Sequence, residues 1–245
     1  MVNKSKKSLP TIDKNTKSIE IFKKSLSLYK ERFWTLFIIS LLMGLSIFLE
    51  YTIETYVSPF FSSYPNPLIP ILIITIIFII NFLFLSIGFA TLSNTTISKE
   101  IDVFKSYKQT WNKILPFSFI FITYLLICIF GTILLIIPGI LFVIWFNLCF
   151  WIYIDQGIKG TKALSLSYKY MQGNVAYYIK KWIFIIFTVS IPFLIFQYIL
   201  KLVDTPLIIR VLITSLIKAL IQPISIIYSL FIYKYIKSTK AVSRI

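Results

Sequence analysis

Six long apolar runs, at about 33–50, 68–92, 114–136, 138–154, 182–200 and 207–233, constrain this chain more than any other feature. A bilayer core about 30 Å thick needs roughly 20 residues of helix, so a run of about 18 apolar residues with few charges reads as a membrane span. The runs fill more than half of the 245 residues, and nothing between them is long and apolar enough for a separate soluble core. Composition agrees: the mean hydropathy is +0.84 and only 14% of residues are charged, where a soluble domain carries about 25%. The chain predicts an all-α integral membrane protein with six transmembrane helices arranged as three hairpins. One membrane domain over 18–236 follows a flexible basic tail at 1–17 and precedes a second basic tail at 237–245. About 32 mostly polar residues precede the first run, unlike a cleavable signal, so the chain is expected to keep its N-terminus.

The net charge of +16 is explained by topology. Short loops rich in Lys and Arg stay on the cytoplasmic side. Residues 1–32 hold nine of these side chains, 93–113 four, 155–181 five and the segment after 233 four. Only Lys201, Arg210 and Lys218 remain for the other side, and the first loop carries Glu50 and Glu54 instead. Six spans with both termini cytoplasmic satisfy every loop. The same charge attracts anionic headgroups, so the expected partners are the lipid bilayer and a membrane protein or a second copy. Charge scattered over separate loops with no recognisable motif argues against nucleic acid.

Before the first, third and fifth runs a lysine-rich stretch repeats apolar residues at helical spacing. These are Ile19, Phe22, Leu26, Tyr29 and Phe33; then Ile101, Phe104, Tyr107, Trp111 and Leu115; then Leu164, Tyr168, Met171, Val175 and Ile179. Periods of three and four mark amphipathic helices. A basic face opposite an aromatic one suits a helix in the headgroup region, and a helix capping the bundle suits it equally. Each hairpin is thus expected to follow a cytoplasmic amphipathic helix.

Pro138-Gly139 is a strong turn signal between the third and fourth runs, with Pro138 placed to begin the fourth helix. Ile137-Pro138-Gly139-Ile140, then Asp155-Gln156-Gly157, then Ala163-Leu164-Ser165-Leu166-Ser167 ending near Gly173, resembles a group of bacterial multi-pass proteins. These are described as glycerophosphoryl diester phosphodiesterase membrane-domain-like. The resemblance is clearest over 133–180. It implies turns at Pro138, Gly139, Asp155, Gly157 and Gly173, a bacterial inner-membrane location, and no enzyme activity, because the soluble catalytic barrel that gives the group its name is missing from these residues.

The residues themselves also argue against an enzyme. There is no histidine, which removes His-based acid–base catalysis and most zinc sites. None of the nine carboxylates sits deep in a run, and Glu50 with Glu54 reads as a solvated helix end. No catalytic residue, metal site or cofactor is expected, and Cys128 and Cys149 read as packing residues. Polar residues inside the runs are candidate sites by default. They are Asn81, Asn147, Gln197, Lys218 and Gln222, with Pro192 and Pro223 expected to kink the last two spans. Lys218 either snorkels to the outer interface or faces the interior. Two functions follow: a non-enzymatic membrane scaffold or accessory protein holding anionic lipid or partners at the cytoplasmic face, or a carrier or flippase built around those polar residues and prolines.

Overall fold

A computed structural model describes residues 16–52, 68–98, 100, 102–203 and 205–242. The tail before residue 16, Glu54 with the loop to residue 67, Lys99, Ile101, Asp204 and residues 243–245 lie outside the described residues, as does the side chain of Glu50. Among the described residues there is no strand. The helices are α1 (Ser18–Glu31), α2 (Phe33–Thr52), α3 (Leu68–Ser98), α4 (Val103–Leu134), α5 (Ile136–Phe146), α6 (Cys149–Gln156), α7 (Gly160–Met171), α8 (Val175–Ile185), α9 (Ile191–Leu202) and α10 (Leu207–Val242). A π-helical stretch, Ile186–Ser190, joins α8 to α9.

Among the described residues five helical stretches are long and apolar enough to cross a membrane: Thr75–Ser98, Val103–Ile133, Ile136–Gln156, Val175–Leu202 and Leu207–Lys240. The apolar part of α2, Phe33–Gly44, is shorter among the described residues. Several helices outrun the sequence-predicted spans. At 1.5 Å per residue, α10 is about 54 Å long, well beyond a bilayer core, and its polar end carries Lys234, Lys237 and Lys240.

The core gathers around α6 and the second half of α10. Every residue from Leu148 to Ile154 is buried, as are Ile226, Ile227, Tyr228 and Leu230 to Tyr233. A helix apolar on all sides belongs at the centre of a bundle. α2 packs on α3 and α4 on α5, whereas α10 lies chiefly along α2 and α1 and touches α9 little. The π stretch and α9 contain no buried residue.

Small residues set the close approaches. A Cβ on Gly44 would stand 3.2 Å from the Ser215 carbonyl oxygen, and one turn away the Ser40 hydroxyl donates to the Ala219 carbonyl. Pro223, four residues after Ala219, has no N–H to give that carbonyl, so Ser40 supplies the missing partner. Ser40 with Gly44 and Ser215 with Ala219 thus form a small-residue seam between α2 and α10, as is common in membrane bundles.

The α4–α5 turn falls at Leu135 rather than at Pro138-Gly139. Leu135 is extended (φ −161°, ψ 137°), and α5 has already begun at Ile136. Pro138 fits inside the first helical turn because N–H groups there have no intrahelical acceptor. Gly139 is helical and serves contact: a Cβ would come within 2.7 Å of Thr132 Cα, and one on Gly131 within 2.5 Å of Phe142 Cδ2. Gly157 (φ 71°) closes α6 in the left-handed region, and Gly173 (φ 79°) separates α7 from α8.

The three amphipathic stretches take different forms. α1 ends at Arg32 and packs against α10 with Ile21, Leu28 and Tyr29 buried; burial pushes the Tyr29 hydroxyl up to about 12. The second stretch is continuous with its span in α4, through Pro116. The third is cut at Gly173, so Val175 and Ile179 belong to the next helix.

Candidate functional site

Asp155 is the acceptor at the centre of one network. α6 ends in Asp155 and Gln156, and the second half of α10 passes beside it. Asp155 Oδ2 accepts from the Tyr233 hydroxyl at 2.8 Å and from Lys237 Nζ at 2.6 Å. Gln156 Nε2 donates to the Tyr233 oxygen at 2.8 Å and to the Tyr170 hydroxyl of α7 at 3.3 Å. Trp151 stacks on Tyr233 and donates its indole N–H to Ser229 at 2.8 Å. Tyr233 is fully buried, and in a low-dielectric surrounding a buried hydroxyl needs such partners. Charge-assisted bonds to one carboxylate oxygen tie α6 to α10.

A second network lies at the junction of α3 and α4. The run from Thr91 to Thr96 is buried throughout. Asn94 donates to the Thr110 hydroxyl at 3.1 Å and accepts from Lys113 Nζ at 2.8 Å. The Lys113 carbonyl accepts from the Tyr153 hydroxyl at 3.0 Å, next to the Asn112 carbonyl that Pro116 leaves without its helical donor. Arg32 reaches the Thr95 carbonyl at 3.4 Å. Lys181 donates to the Thr16 carbonyl at 2.7 Å, and the Lys181 carbonyl accepts from Tyr228 at 3.2 Å. These bonds join the 16–32, 94–113, 153–181 and 228–237 segments, which hold most of the described lysines.

Beside the networks a groove of about 840 Å³ opens between α4 and the start of α7. Its α4 wall is the stretch 115–122, in which Leu115 and Phe119 are largely exposed and Ser118 is buried. Its other wall is Lys159 to Lys162, and the first turn of α7 has no side-chain cap. Deeper along α7, the buried Ser167 donates to the Trp145 carbonyl at 2.7 Å, where α5 gives way to α6.

The polar and proline residues singled out by sequence inside the apolar runs are spread over several elements of the fold, and none lines this groove. Asn81 is buried on α3, its Oδ1 without a partner among the described residues. Asn147 follows α5 beside Tyr124. Gln197 is half-buried on α9, and Lys218 and Gln222 are half-buried on α10. α10 begins at Leu207, so Lys218 is about three turns into the helix. Pro192 follows the π stretch in the first turn of α9. Without the Pro192 N–H the Thr188 carbonyl lacks its usual helical donor. Pro223 is buried inside α10.

Both networks pair most of their polar atoms internally, and neither sets a nucleophile beside a free base. Among the described residues no group of three His, Cys, Asp or Glu could hold a metal ion, and Cys128 and Cys149 are buried free thiols. The groove is different in kind: it joins two exposed lysines to an apolar wall. Asn94 and Ser118 are not among the candidates that the apolar runs single out. The signal for Asn94 is present in the sequence, as four consecutive polar side chains, Ser93 to Thr96, directly following an apolar run.

No protein-family model, curated protein or solved structure matches the chain.

Proposed function

We propose that this chain is a non-enzymatic membrane scaffold or accessory protein that gathers anionic lipid or a membrane-protein partner at its cytoplasmic face. In this reading α2 is a sixth span, the six spans pair as three hairpins with both termini in the cytoplasm, and the membrane is a bacterial plasma membrane. The resemblance to the phosphodiesterase membrane-domain-like group belongs to the same proposal.

One observation carries it. The hydrogen bonds that Arg32, Asn94, Lys113, Tyr153 and Lys237 donate, and those that Asp155 accepts, link segments that the lysine distribution assigns to one side of the membrane or that border them. A framework closed at that end presents its remaining lysines outward, and each basic residue at an anionic surface contributes about 1 kcal/mol. The carrier reading draws on Asn81, whose buried carbonyl oxygen lacks a partner among the described residues.

The test is reconstitution of the full chain into proteoliposomes of mixed zwitterionic and anionic lipid, followed by mild detergent extraction and lipid analysis. Enrichment of anionic lipid over the bulk composition is the expected result, and retention in bulk proportions refutes the reading. Lipid scrambling between leaflets that is lost in Asn81→Leu would establish the carrier instead. Labelling Ser62→Cys only from outside and Ser238→Cys only after permeabilisation is expected for the topology.

A further inference from the structure

The geometry points to a discrete binding site for one anionic phospholipid in the groove between α4 and the first turn of α7. Its phosphate would lie among Lys159, Lys162 and Ser118, with an acyl chain along Leu115, Phe119 and Ile122. The inference rests on the reading of the chain as an anionic-lipid scaffold and gives that reading a location.

Ser118 is the key residue. α4 carries five serine and threonine hydroxyls, and four of them (Ser106, Thr110, Thr123 and Thr132) donate to the carbonyl four residues earlier. That is the usual way a helix satisfies such a group. Ser118 makes no such bond: its residue is 8% exposed, its Oγ has no partner among the described residues, and it lines the groove. A buried hydroxyl left unpaired costs free energy, and an oxygen of a bound ligand would remove that cost.

The walls say which ligand. Lys159 and Lys162 are exposed on the opposite side, and neither makes an ion pair among the described residues. Gly160 sits between them at φ 59°, where a Cβ would stand 4.0 Å from Phe119 Cε1, so the groove is narrow there. The uncapped N–H groups of the 12-residue helix α7 favour an anion. A free phosphate would use this half and leave the rest unexplained. Leu115 is 83% exposed, and Phe119 and Ile122 continue the apolar strip. Cations over an apolar wall at the start of a span match a phospholipid, with its charge at the interface and its chain below it.

The test is native mass spectrometry of the full chain in mild detergent with phosphatidylglycerol or phosphatidylcholine added. Wild type is expected to retain one phosphatidylglycerol in preference to phosphatidylcholine. Lys159→Gln with Lys162→Gln should weaken that retention roughly tenfold. Ser118→Ala should weaken it severalfold without lowering thermal stability, and Ser118→Thr should restore it. Unchanged retention in Ser118→Ala overturns the site. So does an equal loss in Lys24→Gln with Lys30→Gln, which removes the same charge from α1; that outcome leaves the scaffold reading standing. Displacement of the lipid by millimolar inorganic phosphate would assign the site to a soluble anion. No preference for phosphatidylglycerol in wild type defeats the site and the scaffold reading together.

Discussion

The first three turns of α4 and the helix α7 look alike as sequence and are used in opposite ways. Both are lysine-rich with apolar residues every three or four positions. In α7, as in α1, the apolar face turns inward, with Ala163, Leu164 and Met171 buried. In α4 it turns outward: Phe104, Trp111 and Leu115 are 78%, 68% and 83% exposed, while Ser106 and Thr110 are fully buried. Continuity explains the difference. Phe117 and Ile120, both at 0% exposure, fix the inward face of the α4 span, and Ser106, Thr110 and Lys113 fall on that face by helical period. α7 is cut free by Gly157 and Gly173, so it can roll its apolar stripe onto the bundle. Periodicity therefore reveals that a helix has two faces, and attachment decides which one is buried. An outward apolar face is unfavourable in water but costs little against acyl chains.

The comparison breaks most readily at the buried apolar face. Leu164→Asp places an unpaired carboxylate in the core and is expected to cost about 3 kcal/mol or more, read as a fall in the thermal unfolding midpoint in detergent. Leu115→Ser, on the exposed face of α4, should change stability by no more than about 0.5 kcal/mol. Equal losses would mean that the two faces are not used differently. The far end of α4 supplies the next largest effect. Gly139→Val drives a side chain toward the Thr132 backbone, which cannot rotate away, and should cost about 1–3 kcal/mol by overpacking. Proteolysis near Leu135 should rise with it.

What could be read from the chain in advance was whatever depends on neighbours in sequence. The apolar runs, the helical period of α1 and α7, and the breaks near Gly157 and Gly173 are local properties. Pro138-Gly139 misleads because the same dipeptide serves a turn or a tight helix contact, and only the neighbouring Thr132 decides between them. Asp155 could be placed at a helix end but not in a network, since Tyr233 and Lys237 lie 78 and 82 residues away. The groove was hidden for a related reason: Ser118 looks like any helical serine until its missing back-bond and the opposing lysines are seen together. The Ser40–Gly44 and Ser215–Ala219 spacings were present in the sequence, yet many small residues in membrane helices pack against nothing in particular.

The inverted face of α4 offers the two finer tests. Asn94→Ala deletes the bonds to Thr110 and Lys113 and leaves a buried hydroxyl and a half-buried lysine without that partner; about 1–3 kcal/mol should be lost. Ser25→Ala makes the contrast, because the Ser25 hydroxyl bonds only its own helix at Ile21, and the change should be near zero. The smallest energetic effect belongs to Trp111, whose ring is exposed beside no core residue that needs it. Trp111→Ala should leave the unfolding midpoint within about 0.5 kcal/mol of wild type, yet the same ring should report the bilayer directly. In a variant whose only tryptophan is Trp111, brominated lipid should quench the fluorescence strongly. With Trp151 alone, buried against Tyr233 and Ser229, quenching should be weak. Equal quenching of the two would show that the apolar face of α4 does not look into lipid, and the inversion would then need a covering partner rather than a membrane.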